Sequence, residues 1–228
     1  MKFLRRTLSS VGLVVVIFGG LLFLPAWTWH WERAWTLLAA SALGTVITML
    51  VAFRGDEALF KERKSGLFQK DQPLADKLVV APLIGSYYAQ LVLCPLDVWH
   101  WHLLPVAGPV ATTAGVIMAV VGWTVITLVF RENTFAAPVV KHMKERHQKV
   151  IDTGVYAVVR HPMYAGAILW IPGMALWLGS WAGALFAVVP TVLFMVRIGV
   201  EEQFLRQELP GYVEYTQRVK YRLLPGVW

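Results

Sequence analysis

The chain holds one cysteine, Cys94, so no internal disulfide can form and composition says nothing about redox compartment. It also lacks a G-x-G-x-x-G turn followed by a downstream acidic residue. That absence excludes the soluble dinucleotide-type cofactor fold and leaves helices and loops to build any nucleotide pocket. No low-complexity tract and no long Gly/Ser linker divides the chain, which reads as one membrane domain with a polar elaboration. Charge is scarce: Asp, Glu, Lys and Arg make up 15% of the 228 residues, against 57% hydrophobic, a balance wrong for a soluble globule. Ionisable residues are missing from the middles of the apolar runs, where a small transporter or channel would carry them.

What is present is a set of six apolar stretches, Leu8 to Leu24, Ala34 to Phe53, Leu78 to Leu96, Pro109 to Phe130, Tyr164 to Leu178 and Ala182 to Val196. About 20 residues cross hydrocarbon as a helix, so the first four have the length of spans and the last two are short. The expected fold class is therefore an all-α polytopic transmembrane helical bundle of about six spans. All 21 Lys and Arg residues except Arg33 fall in alternate links and at the termini, the pattern of segments on the cytoplasmic side. Both termini and the polar motifs are thus expected to face the cytoplasm. The opposite links are rich in tryptophan, including Trp27, Trp29, Trp31, Trp35, Trp99, Trp101, Trp177 and Trp181, as in an interfacial belt.

The basic start followed by an apolar core resembles a secretory signal, but bulky tryptophans follow Pro25 where cleavage needs small residues; it is read as a first transmembrane helix. A net charge of +7 points to anionic lipid headgroups rather than nucleic acid, because no nucleic-acid module accompanies it. Residues 54–77 mix both signs of charge with Leu59, Phe60, Leu67 and Phe68, which suits an amphipathic connector lying against the inner interface. His30, His100 and His102 stand among tryptophans with no complete ligand set, so no metal is expected.

Two polar motifs stand at the ends of the last apolar pair. That pair is joined by Leu178, Gly179, Ser180 and Trp181, a link that allows only an antiparallel hairpin. Pro162 opens its first leg, a position where the missing amide costs nothing, and Arg160 and His161 lie beside the helix start, where an anion is favoured. On the returning leg, Arg197 and Glu201 are spaced i, i+4 and share one face, either as a simple ion pair or as part of a site, with Glu202 beside them. Before the hairpin, residues 131–160 contain the turn Thr153-Gly154-Val155-Tyr156, which returns the chain toward Pro162 and is able to fold over it.

The order KVIDTGVYAVVRHPMYAG, a hydrophobic hairpin, R(x3)EEQFL and LPGYVEYTQRVKYRLLPGVW resembles the isoprenylcysteine carboxyl methyltransferase family and its relatives among membrane phospholipid methyltransferases, over about residues 131–228. The resemblance divides the chain into transmembrane helices at 1–130 and a methyltransferase-like region at 131–228, made of a cofactor loop, the hairpin and a C-terminal amphipathic helix. It implies S-adenosylmethionine as donor and a lipid or lipidated acceptor. Carried over by position, Lys149, Val150 and Ile151 line the adenosine region, and Tyr156, Arg160, His161, Pro162, Met163 and Tyr164 surround the donor. Glu201 binds its polar end, while Lys141 and Gln148 occupy looser polar positions. Arg197 holds an acceptor carboxylate. An ionised carboxylate needs no base, whereas an amine acceptor of the phospholipid type would need one, for which His161 or Glu202 is at hand. The rival readings are an NADPH-dependent sterol-type reductase, which shares an RHP motif, and a non-catalytic membrane protein.

Overall fold

The computed structural model describes residues 1–69 and 72–228; Lys70 and Asp71, inside the expected connector at 54–77, lie outside the described residues. Its elements are α1 (Lys2–Ala26), α2 (Glu32–Thr48, continued by a π turn at Met49–Phe53), α3 (Glu57–Arg63), α4 (Leu74–Leu96, continued by a π turn at Asp97–Trp101) and α5 (Pro109–Glu132). They are followed by α6 (Pro162–Leu178), α7 (Trp181–Phe186), α8 (Val188–Glu208) and α9 (Tyr212–Arg218). Five of the helical segments are long and apolar enough to cross a membrane, and α6 is a shorter apolar helix of 17 residues. The chain is an integral membrane protein.

The alternation of spans brings all basic links to one end of the bundle. There Arg6 pairs with Glu57 at 3.0 Å and Lys141 with Glu62 at 2.7 Å, joining the N-terminus, the connector and the loop before α6. At the other end the Trp177 indole donates to the Arg33 carbonyl at 2.9 Å, and the Ser180 hydroxyl to Asp97 at 2.6 Å. Trp27, Trp29 and Trp101 are exposed there, as a belt requires, but Trp31 is buried in the core with Leu22, Leu38, Leu91 and Met174. Its place in a tryptophan-rich link put it in the belt by sequence; as the residue before α2 it is turned inward.

Helices α5 and α6 pack backbone against backbone through glycines. A Cβ on Gly166 would lie 2.7 Å from the Gly122 carbonyl oxygen, and one on Gly173 would lie 2.7 Å from both the Ala119 amide and the Gly115 carbonyl oxygen. Small residues at such spacing let backbones touch where water gives no hydrophobic drive between helices. Gly173→Leu is therefore expected to separate α5 from α6 and lower the melting temperature of the purified protein; an unchanged transition would show that the seam tolerates bulk.

Two expectations are corrected in length. Among the described residues of the connector, the helix is the seven-residue α3, N-capped by Asp56, whose carboxylate accepts from the Leu59 amide at 2.8 Å, and Leu74–Lys77 already belong to α4. The last leg is not short: α7 and α8 together run from Trp181 to Glu208, bending near Ala187, and α8 carries its polar end on as one helix past Val196. The C-terminal helix is likewise a two-turn segment, and the tail beyond it packs against the start of α6.

Candidate active site

Residue order dictates how the two polar motifs meet. Gly179 adopts φ 94°, which closes α6 with a glycine turn, and Ser180 caps α7 through the Gly183 amide at 2.8 Å, so the hairpin folds back and lays the foot of α8 beside the start of α6. The Arg160 Nε donates to Glu202 Oε1 at 2.7 Å, His161 Nε2 lies 3.2 Å from the same oxygen, and Arg222 pairs with Glu202 Oε2 at 3.1 Å. Arg160 also donates to the carbonyls of Val219 and Lys220, while the Arg160 and His161 amides bond to the carbonyls of Tyr221 and Arg222. The anion beside this helix start is thus the protein's own Glu202. It clasps the C-terminal tail to α6.

Glu202 does not line the cavity, in contrast to its expected catalytic place; one residue along a helix turns the side chain by about 100°, and it is Glu201 that faces inward. The Tyr164 hydroxyl donates to Glu201 Oε2 at 2.5 Å, and His161 stacks on the Tyr164 ring with centroids 5.6 Å apart.

Arg197 is not paired with Glu201. Its Nε donates to Asp76 Oδ1 at 2.9 Å and its Nη2 to the Pro138 carbonyl at 2.8 Å. Asp76 is fully buried, and its second oxygen accepts from the Val140 amide at 2.9 Å and from Gln72 at 2.7 Å. One carboxylate therefore ties α4, α8 and the loop before α6 together. Sequence reasoning missed Asp76; its only signal is an acidic residue at the foot of a span, in a link that carries charges of both signs.

These elements enclose a cavity of about 420 Å³, within the range of small-molecule sites. Lys141, Gln148, Lys149, Val150, Ile151, Tyr156, Arg160, His161, Pro162, Met163, Tyr164, Arg197 and Glu201 all line it. Besides Arg160, His161 and Arg197, Lys141 and Gln148 have their polar ends engaged: Lys141 bonds Glu62 and Gln69, and the Gln148 side-chain carbonyl accepts from the Met143 amide. For Glu62, burial opposes ionisation, but the Lys141 contact together with Ser65 and Gln69 prevails and holds the carboxyl below its usual range.

Tyr156 accepts a hydrogen bond from Asn133 at 2.9 Å, and its carbonyl accepts from the Tyr215 hydroxyl at 2.8 Å; burial raises the Tyr156 phenol above its ordinary range. Tyr212, also missed by sequence, lines the cavity with its buried hydroxyl unpaired among the described residues. Burial, and then the Glu201 and Glu202 charges, raise its pKa, so it stays a neutral donor in need of an acceptor. Toward the membrane the cavity wall becomes apolar, with Val80, Leu83 and Ile84 of α4, Ala167, Trp170 and Ile171 of α6 and Phe194 of α8.

A family model described as phospholipid methyltransferase matches residues 110–210, which contain α5, the loop and the hairpin. A probable protein-S-isoprenylcysteine O-methyltransferase of Oryza sativa subsp. indica is 33% identical over 193 residues, covering 82% of this chain and 93% of the rice protein. The chain belongs to the protein-S-isoprenylcysteine O-methyltransferase family. Protein-S-isoprenylcysteine O-methyltransferase B of Arabidopsis thaliana is 32% identical over 137 residues, 59% of this chain, and the chain spans 66% of that relative's length. The Saccharomyces cerevisiae protein-S-isoprenylcysteine O-methyltransferase is 30% identical over 116 residues, 50% of this chain and 48% of its own. Membership in this O-methyltransferase family sets aside the reductase and the non-catalytic membrane protein.

Proposed function

We propose that the protein transfers a methyl group from S-adenosylmethionine to the carboxylate of a lipophilic, isoprenylcysteine-like acceptor, at the end of the bundle that faces the cytoplasm. The observation that carries this reading is the cavity's division into a polar floor, with Glu201, Tyr212 and Arg197, and an apolar arm along α4, α6 and α8. The relatives' names specify isoprenylcysteine as acceptor and an O-methyl product.

The residues present fit the donor. Glu201 supplies the carboxylate for its ammonium, the unpaired Tyr212 hydroxyl a donor for its carboxylate, and Val150 and Ile151 an apolar wall for its adenosine. Bound there, it would supply an electrophilic methyl group on a sulfonium. Arg197 is held rigidly by Asp76 and Pro138 and supplies charge for the acceptor carboxylate, so its placement needs no rearrangement during the reaction. Phe194 and Trp170 keep water from the lipid-facing side.

An amine acceptor has weaker support. It would require a free base, but His161 and Glu202 hold each other and Glu202 does not line the cavity.

The donor assignment is tested by titrating the purified protein with S-adenosylhomocysteine in a calorimeter. Glu201→Gln is expected to weaken the affinity by about tenfold or more, the scale of one lost charge-assisted contact. Equal affinities for the two proteins would remove Glu201 from the donor site.

A further inference from the structure

A second guanidinium faces the cavity, and nothing in the sequence motifs points to it. Arg63, in the last turn of α3, lines the cavity from the connector side and lies over the Phe130 ring at 4.8 Å. Among the described residues it makes no salt bridge and no side-chain hydrogen bond, and the acidic groups nearest it in sequence are engaged elsewhere: Glu57 by Arg6, Glu62 by Lys141, and Asp56 by Thr134 and the Leu59 amide. Helix α3 is held in place by those three contacts and by Phe60 against Phe53, so Arg63 is presented by an anchored element. Arg197 enters the same cavity from α8 with its Nε and Nη2 engaged and its Nη1 making no hydrogen bond among the described residues.

We propose that Arg63 and Arg197 together form a two-guanidinium cradle for a carboxylate, and that the acceptor delivers it. This rests on the reading of the protein as a carboxylate methyltransferase. Two like charges line one cavity, and because Asp76 already offsets that of Arg197, an incoming anion relieves chiefly Arg63. The same strain shows in Arg63 itself: burial, and then the Arg197 charge, push its guanidinium down to about 10.

The acceptor's carboxylate suits the cradle better than the donor's. Arg63 lies over the apolar Phe130 ring in the cavity wall, while Glu201 and Tyr212 already form a polar set for an amino acid. Methylation removes the charge that the cradle recognises. A site with two cations therefore binds the acid more tightly than its methyl ester and favours release of product.

The test compares the wild type, Arg63→Gln and Arg63→Lys, each purified whole in detergent and saturated with S-adenosylhomocysteine. Binding of N-acetyl-S-farnesylcysteine and of its methyl ester is measured for each, along with S-adenosylhomocysteine affinity. The wild type is expected to prefer the acid, and Arg63→Gln to lose about tenfold in affinity for the acid alone, erasing most of that preference. Arg63→Lys should recover part of it, and S-adenosylhomocysteine affinity should stay within about twofold in all three.

Unchanged acid affinity in Arg63→Gln, with the wild type still preferring the acid, would overturn the role of Arg63 and leave the proposed reaction standing. A wild type that binds neither acid nor ester would overturn the cradle together with the acceptor class. Weakened S-adenosylhomocysteine binding in Arg63→Gln, with 5′-methylthioadenosine unaffected, would reassign Arg63 to the donor's carboxylate and overturn the inference as stated.

Discussion

Glu202→Ala is expected to destabilise the protein by about 3–5 kcal/mol, the cost of removing one partner from a buried ionic cluster. The side chains of Glu202, Arg160 and His161 are 4%, 5% and 5% exposed, so water cannot replace the lost carboxylate for Arg160 or His161. Arg222 is 34% exposed at its side chain and has solvent available, so its share of the loss is small. The damage should also spread, because the Val219–Arg222 backbone is held by Arg160 and His161, and Arg222 in turn stacks on Trp228. Thermal unfolding in detergent, with S-adenosylhomocysteine binding measured alongside, distinguishes a structural Glu202 from a chemical one. A structural Glu202 gives a large fall in melting temperature. A normal melting temperature with turnover lost would return Glu202 to the chemistry.

Arg197→Ala is expected to lower kcat/KM for a prenylated carboxylate acceptor by about a hundredfold, the scale of losing one charged contact that binds and positions the acceptor. Affinity for S-adenosylhomocysteine should change little, since Glu201 and Tyr212 are untouched. The Asp76 contact complicates the stability of this variant: alanine at 197 leaves Asp76 without its guanidinium but still bonded to Gln72 and the Val140 amide. Asp76→Ala is the harsher change, because it leaves the Arg197 side chain, 8% exposed, in place without a counter-charge. If Arg197→Ala weakened donor binding as much as acceptor turnover, the division of the cavity into donor and acceptor ends would be wrong.

The sequence made the spans readable because a helix in hydrocarbon must be apolar along its whole length, and α1, α2, α4 and α5 are. The start of α6 was readable at Pro162 and its end at Gly179, where local chemistry decides the boundary. The meeting of Arg160 and His161 with the foot of α8 followed from the short hairpin alone. Rotation about the α8 axis was harder: adjacent Glu201 and Glu202 look equivalent in the sequence, and only the packing of α8 against α4 turns one inward and the other toward Arg160.

Arg63 and Asp76 were invisible for a different reason. Asp76 meets Arg197 across 121 residues, and one charge among many of both signs at 54–77 has no periodicity or spacing that separates a ligand-facing side chain from a solvated one. Tyr212 lay within the stretch that carried the family resemblance. Its unpaired hydroxyl became meaningful only once the cavity was enclosed.

The central claim is that this cavity esterifies a carboxylate carried by a lipid. The direct measurement is to incubate the purified protein with methyl-labelled S-adenosylmethionine and N-acetyl-S-farnesylcysteine, then treat the extracted product with alkali. The account predicts label in the farnesylated product, released as methanol by alkali; label in an alkali-stable N-methyl lipid, or no labelled lipid at all, would contradict it.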